Sequence, residues 1–426
     1  MGSFDIGWIR TQFPALTQEI NGQSATFFDG PGGTQAPRQV MAAIGDYLTH
    51  SNANAQGAFA TSERTDGLIA SARAAMADFL GCDRDEVVFG PNMTTLTFAL
   101  SRAIGRDLQS GDEIIVTQLD HDANVAPWRA LEEQGVIIRM VDINPEDCTL
   151  DMADLERQIN QRTRVVAVGY ASNAVGTIND VAKVAQLAHA VNALVFVDAV
   201  HYAPHGPIDV GVLDCDFLVC SAYKFFGPHV GVLYGKREHL TRLRPYKVRP
   251  ASDQAPSRWE TGTQNHEGLA GVAAAIDYLA DLGRRVSPAV GNRRDALRAT
   301  MQATQQYERV LCQQLVPNLL KISGLTFFGL TELCRFTSRT PTVAIRLATH
   351  SPYEVAKALG DRGIFTWHGN FYALNLSERL GVETTGGFLR IGLVHYNTSE
   401  EVDRLLSVLN ELVTSRRCKP GGRSGC

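Results

Sequence analysis

The chain has 426 residues, 44% hydrophobic and 20% charged, with a formal net charge of −5. This is ordinary globular composition, large enough for more than one core. It shows no basic excess for nucleic acid and no apolar stretch long enough to span a bilayer.

The opening Met1-Gly2-Ser3-Phe4-Asp5-Ile6 has neither a signal-peptide nor a myristoylation pattern. Val40 to His50 and Gly67 to Gly81 read as helices, and Glu86 to Phe89 as a short strand. Then come a helix Thr94–Ile104, strands Glu113–Thr117 and Val136–Val141, a helix Met152–Gln158, a strand Arg164–Gly169 and a helix Val181–Val191. Two apolar runs, Ala193–Ala199 and Asp216–Ser221, and the strand Gly231–Tyr234 complete the series. Short β-branched runs alternating with helices predict an α/β fold with a mostly parallel central sheet, binding ligands at the carboxyl ends of its strands. Leu269–Leu282 and Arg294–Leu315 read as long helices leading to a smaller α+β unit: strand Pro341–Leu347, helix Tyr353–Gly360, strands Gly363–Thr366 and Gly387–Gly392, and helix Glu400–Leu412. The expected division is an N-terminal segment (1–26) packing with the small domain, a large domain (27–282), a small C-terminal domain (283–412) and a disordered tail (413–426). The eight cysteines are scattered without CxxC pairs and the histidines do not cluster at ligand spacing, as for reduced thiols in a cytoplasmic protein with no metal site. His201 and His205 stand four apart, but Pro204 between them argues against a helix.

The chemistry concentrates where strands end. Phe217 to Ser221 runs into Ala222-Tyr223-Lys224-Phe225-Phe226-Gly227-Pro228, and the preceding strand ends in Asp198. A strand-end lysine beside a strand-end aspartate is what pyridoxal phosphate (PLP) requires. The amine forms a Schiff base with the cofactor aldehyde, and the carboxylate keeps the pyridine nitrogen protonated. Asn92-Met93-Thr94-Thr95 opens a helix and offers a phosphate cradle, to which Ser221 and Tyr223 add hydroxyls. His121, in Asp120-His121-Asp122, is suited to lie against a pyridine ring and handle protons. Asn173 and His201 are candidates for the cofactor's phenolic oxygen. Each has a plainer reading alone: Thr94 as a helix cap, His121 as a solvated loop residue, Asn173 as a turn residue. Their joint placement at four successive strand ends favours the PLP site.

With these residues the chain resembles fold-type I PLP enzymes of the class V aminotransferase family, on the cysteine-desulfurase-like branch, from about Phe27 to Leu412. The resemblance implies that Lys224, Asp198, Asn173 and His121 hold the Schiff-base, pyridine-nitrogen, cofactor-oxygen and ring-stacking positions. It assigns Thr95 and Ser221 to the phosphate. Arg390, in Phe388-Leu389-Arg390-Ile391, aligns with the arginine that clamps the substrate α-carboxylate, although alone it reads equally as a sheet-edge salt bridge. Asp29 to Pro37, with Gly32, and Asn52-Ala53-Asn54 are similar to substrate-side loops. Thr263, in Gly262-Thr263, resembles a residue reaching the phosphate of a neighbouring subunit, which implies a homodimer with shared sites. The departures bear on function. Tyr223 stands where desulfurases carry a histidine, Gln56 likewise, and His201 replaces their glutamine. Their sulfur-accepting cysteine aligns with Tyr372, and no cysteine lies between Cys334 and Cys418. Gln56, His368, Asn370 and Tyr372 are candidates for side-chain contacts. The expected enzyme is a cysteine-desulfurase-like lyase or transferase of a small α-amino acid, working through an external aldimine and Cα deprotonation without a persulfide cysteine. Class V transamination, racemisation and a non-catalytic PLP-fold binding protein are the alternatives.

Overall fold

The computed structural model describes residues 4–417. Its centre is a seven-stranded sheet of β1 (Val87–Gly90), β2 (Glu113–Thr117), β3 (Ile137–Val141), β4 (Thr163–Gly169), β5 (Leu194–Asp198), β6 (Phe217–Ser221) and β7 (Gly231–Gly235), in the order β1-β7-β6-β5-β4-β2-β3. Every pairing from β6 to β3 is parallel, and β7 alone runs against both neighbours. β1, β2, β6 and β7 are buried along their whole length. Successive residues serve opposite faces. Val195 and Val197 join one core cluster and Phe196 the other, the two-sided burial that a parallel sheet under two helical layers demands.

A second, antiparallel sheet is built from β8 (Leu325–Phe328), β9 (Thr342–Leu347), β10 (Trp367–Gly369) and β11 (Phe388–Gly392), ordered β8-β9-β11-β10. Leu389 and Ile391 face a core shared with the Arg293–Leu319 and Ser399–Arg417 helices. On the opposite face Ala344 and Phe388 pack with Leu119, Ala174 and Val175, which follow β2 and β4 of the large sheet. Arg390 shares strand parity with Phe388 and is therefore turned towards the ends of the large sheet. The N-terminal segment touches both units. Ile9 and Phe13 enter the large core, Arg10 bonds the Tyr396 carbonyl and Glu401, and Thr26–Phe27 pairs with Ile364–Phe365.

Several elements differ from the reading of the sequence. Ile364–Phe365 is a two-residue pairing with Thr26–Phe27 rather than a strand of the second sheet. β8 and β10 have no counterpart among the expected elements. The last helix continues through Arg417, past the expected boundary at 412, and the rest of the expected tail, 418–426, lies outside the described residues. Among the described residues no helix is long and apolar enough to cross a membrane.

Gly231 pairs with Gly90 where β7 begins, and a Cβ there would collide with the Asn92 backbone, which opens the Met93–Gly105 helix. Gly231→Ala should destabilise the fold by about 1–3 kcal/mol, the usual range for overpacking. Urea unfolding checks this, and an unchanged midpoint would show that the helix start yields freely.

Candidate active site

A cavity of about 260 Å³ lies between the carboxyl ends of the large sheet and the face of the second sheet that carries Arg390. The turns after β2, β4 and β6, and the end of β5, bring His121, Asn173, Lys224 and Asp198 to it. The second sheet contributes Arg390 and Trp367, and the loop after β10 contributes Phe371 and Tyr372. Thr94, Ser221, Tyr223, His201 and Gly32 also line it.

Charge here is held away from water. Burial pushes the Lys224 amine down from 10.5 to about 7; Arg390 adds to this, and Asp198 and Asp29 oppose it. The amine donates to the Pro31 carbonyl and lies 4.6 Å from the centre of the Tyr223 ring. Asp198 is raised by burial to about 6, against the Val200 N–H, which donates to its Oδ1 at 2.9 Å, and against Lys224. Arg390 is lowered by burial to about 9, with Asp29 and Tyr223 opposing. Its guanidinium donates to the Asn173 carbonyl at 2.9 Å and lies 4.1 Å over the Phe371 ring. His121 Nδ1 accepts the Ala123 N–H at 3.0 Å, so the neutral ring carries its proton on Nε2. Burial, Lys224 and Arg390 lower it to about 4. Its ring stacks on Tyr372, centroids 5.3 Å apart at 25°.

The structure divides the expected residues. Thr94 lines the cavity, but Thr95 is exposed and outside it, its N–H capped by Asn92 Oδ1 at 2.9 Å. Because the helix begins at Met93, one residue earlier than expected, Thr95 falls on its outer side. Asn52 and Gln56 are exposed and do not line this cavity; the Gln56 N–H is held by the Asp66 carboxylate. Thr263 is exposed too. His368 packs edge-on against Tyr353, and Asn370 bonds Glu383. Two acids were not singled out. Asp120 lines the cavity, fully buried and raised to about 8 by burial and by Asp198, with its oxygens bonded to the Gly169 N–H and to Asn124. Asp29 is raised to about 6, chiefly by burial. Their position in the sequence, at strand ends beside His121 and Gly30, was the only signal. Among the described residues no cysteine lines the cavity.

The donor set fits PLP. The cavity offers an amine that burial keeps close to neutrality, a buried carboxylate, and an Asn173 side chain whose Oδ1 has no hydrogen-bond partner while its amide donates to the Phe371 carbonyl. Ser221 Oγ, which accepts the Met93 N–H at 3.1 Å, stands at the start of a 13-residue helix, where an anion is stabilised. Fold and site define a PLP-dependent enzyme of fold type I. The chain belongs to the class V aminotransferase family, whose model, "Aminotransferase class-V", matches residues 26–405. It is 32% identical over 427 residues to a cysteine desulfurase of Pectobacterium atrosepticum, covering 96% of this chain and 98% of that one. Its fold is similar to the apo structure of a cysteine desulfurase from Thermococcus onnurineus (TM-score 0.86, 26% identity, 97% of this chain and 100% of that one). It is likewise similar to an Escherichia coli cysteine desulfurase in an S-sulfonic acid form (TM-score 0.83, 27% identity, 97% and 99%). The cofactor is pyridoxal 5′-phosphate.

In PLP-free protein, labelling of Lys224 by an amine-directed reagent should rise with a midpoint near pH 7, where an ordinary lysine would need about 10.5. Arg390→Gln should raise that midpoint, because it removes a like charge, and Asp198→Asn should lower it. Mass-spectrometric labelling across pH reads this, and a midpoint matching the surface lysines would refute the buried setting.

Proposed function

We propose that this chain is a desulfurase-like PLP lyase acting on a small α-amino acid without a sulfur-accepting cysteine of its own. The observation that carries the reading is a single cavity holding Lys224, Asp198, His121 and Arg390 but no thiol among the described residues. Lys224 would hold the cofactor covalently and Asp198 would meet its pyridine nitrogen. His121 would meet its ring, Asn173 and His201 its phenolic oxygen, and Thr94, Ser221 and Tyr223 its phosphate. Bound PLP supplies a sink for the electrons left when a substrate Cα loses its proton.

The side chains provide the rest. Arg390, clamped by the Asn173 carbonyl and Phe371, presents a planar guanidinium to the substrate carboxylate. Lys224, with its pKa near 7, can take and return a proton at neutral pH. His121 is neutral at that pH and holds its proton at Nε2. Tyr372, 72% exposed and stacked on His121, stands at the mouth, where a phenol can donate a proton but cannot carry sulfane sulfur. Together these support elimination, in which the substituent on Cβ departs to solvent rather than to a protein thiol.

Asn52, Gln56 and Thr263 lie outside this chain's cavity on exposed segments, the first two in a stretch of chain between the exposed apolar Leu48 and Phe59. That placement supports a homodimer in which they serve the neighbouring subunit's site. The free cysteines among the described residues fit a cytoplasmic enzyme.

A panel of amino acids, with product identification, tests the reaction. Cysteine or a cysteine derivative should yield pyruvate and a free sulfur fragment, and Lys224→Ala should reduce turnover by on the order of 10³-fold. A keto acid from a non-thiol amino acid, with pyridoxamine phosphate accumulating, would replace elimination by transamination.

A further inference from the structure

Behind the cavity wall lies a buried polar chain that the reaction described above does not use. His201, on the wall, has its Nε2 3.1 Å from Thr340 Oγ1. His205 packs on it, ring centroids 5.2 Å apart at 66°. His205 Nδ1 in turn lies 2.8 Å from Glu308 Oε2, on the Arg293–Leu319 helix. The three residues are 4%, 3% and 2% exposed. Glu308 Oε1 has no partner, and Glu308 borders a separate, narrow cavity with Gln305, Arg309 and Arg339. Burial raises the Glu308 carboxyl above its ordinary range, and its bond to His205 opposes that.

The Thr340 hydroxyl leaves the other end of the chain adjustable. Its one hydrogen can point to the Gly176 carbonyl, 3.3 Å away, or to His201 Nε2. The Gly176 carbonyl is already bonded by the Thr340 N–H at 2.8 Å, so either orientation leaves it satisfied. His201 Nε2 can therefore hold a proton or accept one without leaving a buried group unpaired. Lys224 and Arg390 face His201 from the cavity side, and both disfavour charge on its ring. From behind stand His205, which also disfavours charge on the His201 ring and is bonded to Glu308, and His395, whose own charged form His205 disfavours. Glu308 is the only acid in this set.

We propose that His205 and Glu308 are positioning residues that act through His201, setting from behind the cavity wall whether its ring presents a proton to the cofactor. The proposal rests on the reading that His201 meets the cofactor's phenolic oxygen. Glu308 pairs with His205, His205 lies against the His201 ring and disfavours charge on it, and the Thr340 rotor lets His201 respond. The chain beside His205 is closely packed: a Cβ at Gly206 would collide with the Tyr202 side chain.

The visible absorption band of the PLP-loaded enzyme, followed between about pH 5 and 8, reads this without relying on turnover. E308Q keeps the shape but removes the acid that pairs with His205, and, with His205's opposition to charge on His201 relieved, should raise the midpoint of the band's transition by about one pH unit. E308D, which keeps the charge, should restore the wild-type midpoint. H205Q breaks the link and should shift the midpoint in the same direction as E308Q, and it decides the matter if E308Q does not fold. A PLP-loaded E308Q or H205Q whose band follows the wild-type curve overturns the proposal. A wild-type protein that takes up no PLP would instead defeat the site reading beneath it.

Discussion

Exclusion of water from the crevice between the two sheets is the constraint on which the site depends. Burial is the largest cause of the shift at Lys224, Asp198, Asp120, His121 and Arg390 alike. These buried groups are tolerated because each has a fixed backbone partner, the Ala123 N–H for His121 among them. Pro31 serves Lys224, Val200 serves Asp198, Gly169 serves Asp120 and Asn173 serves Arg390. Those partners belong to strand ends and turns anchored in the cores, so the electrostatics are only as firm as the packing. A looser core would let water in, return the lysine towards its ordinary value, and leave it protonated at neutral pH.

The geometry follows from strand parity in both sheets. In the parallel sheet, residues that end β2, β4, β5 and β6 emerge on one side, which places an imidazole, an amide, a carboxylate and an amine together. In the second sheet, the alternation along β11 sends Leu389 and Ile391 into their own core and Phe388 and Arg390 towards the first sheet. One arginine thus reaches across a crevice whose floor is built from residues about 170 to 270 positions earlier in the chain. Phe388 packs beside it against Leu119 and Val175, which makes the approach of the two sheets an apolar contact with a charged rim.

The strand-end chemistry was legible in the sequence because fully buried parallel strands are written as continuous β-branched runs, and the residue after each run is conspicuous. Asp198, Lys224, His121 and Asn173 stood out in that way. What the sequence hid depended on a shift of one residue or on long-range pairing. Thr94 and Thr95 are chemically alike, and only the helix start at Met93, set by the Asn92 cap, decides which of them turns inward. β10 is three residues long and half exposed, so Trp367-His368-Gly369 carries no periodic pattern; its pairing with β11 creates the strand. Asn52 and Gln56 sit in a polar stretch whose distance from the cavity no local pattern reveals.

The loop that carries Tyr372 shows why a change of residue there is structurally inexpensive. Phe371 and Tyr372 both have left-handed backbones, φ 57° and 59°, a conformation that costs a residue with a Cβ about 1–2 kcal/mol. Three hydrogen bonds hold it: Asn173 to the Phe371 carbonyl at 2.8 Å, the Asp122 N–H to the Tyr372 carbonyl at 2.7 Å, and the Tyr372 N–H to Asn370 Oδ1 at 3.0 Å. At about 1 kcal/mol each they offset the strain. None of the three uses the Tyr372 side chain, which is mostly exposed. The backbone can therefore keep its course whatever residue stands at 372, while Lys224, Asp198 and Arg390 are fixed by other elements. The Tyr372 side chain is thus free to vary while the backbone of its loop stays tied to Asn173 and Asp122, so the fold constrains the loop's course and not the residue it displays at 372.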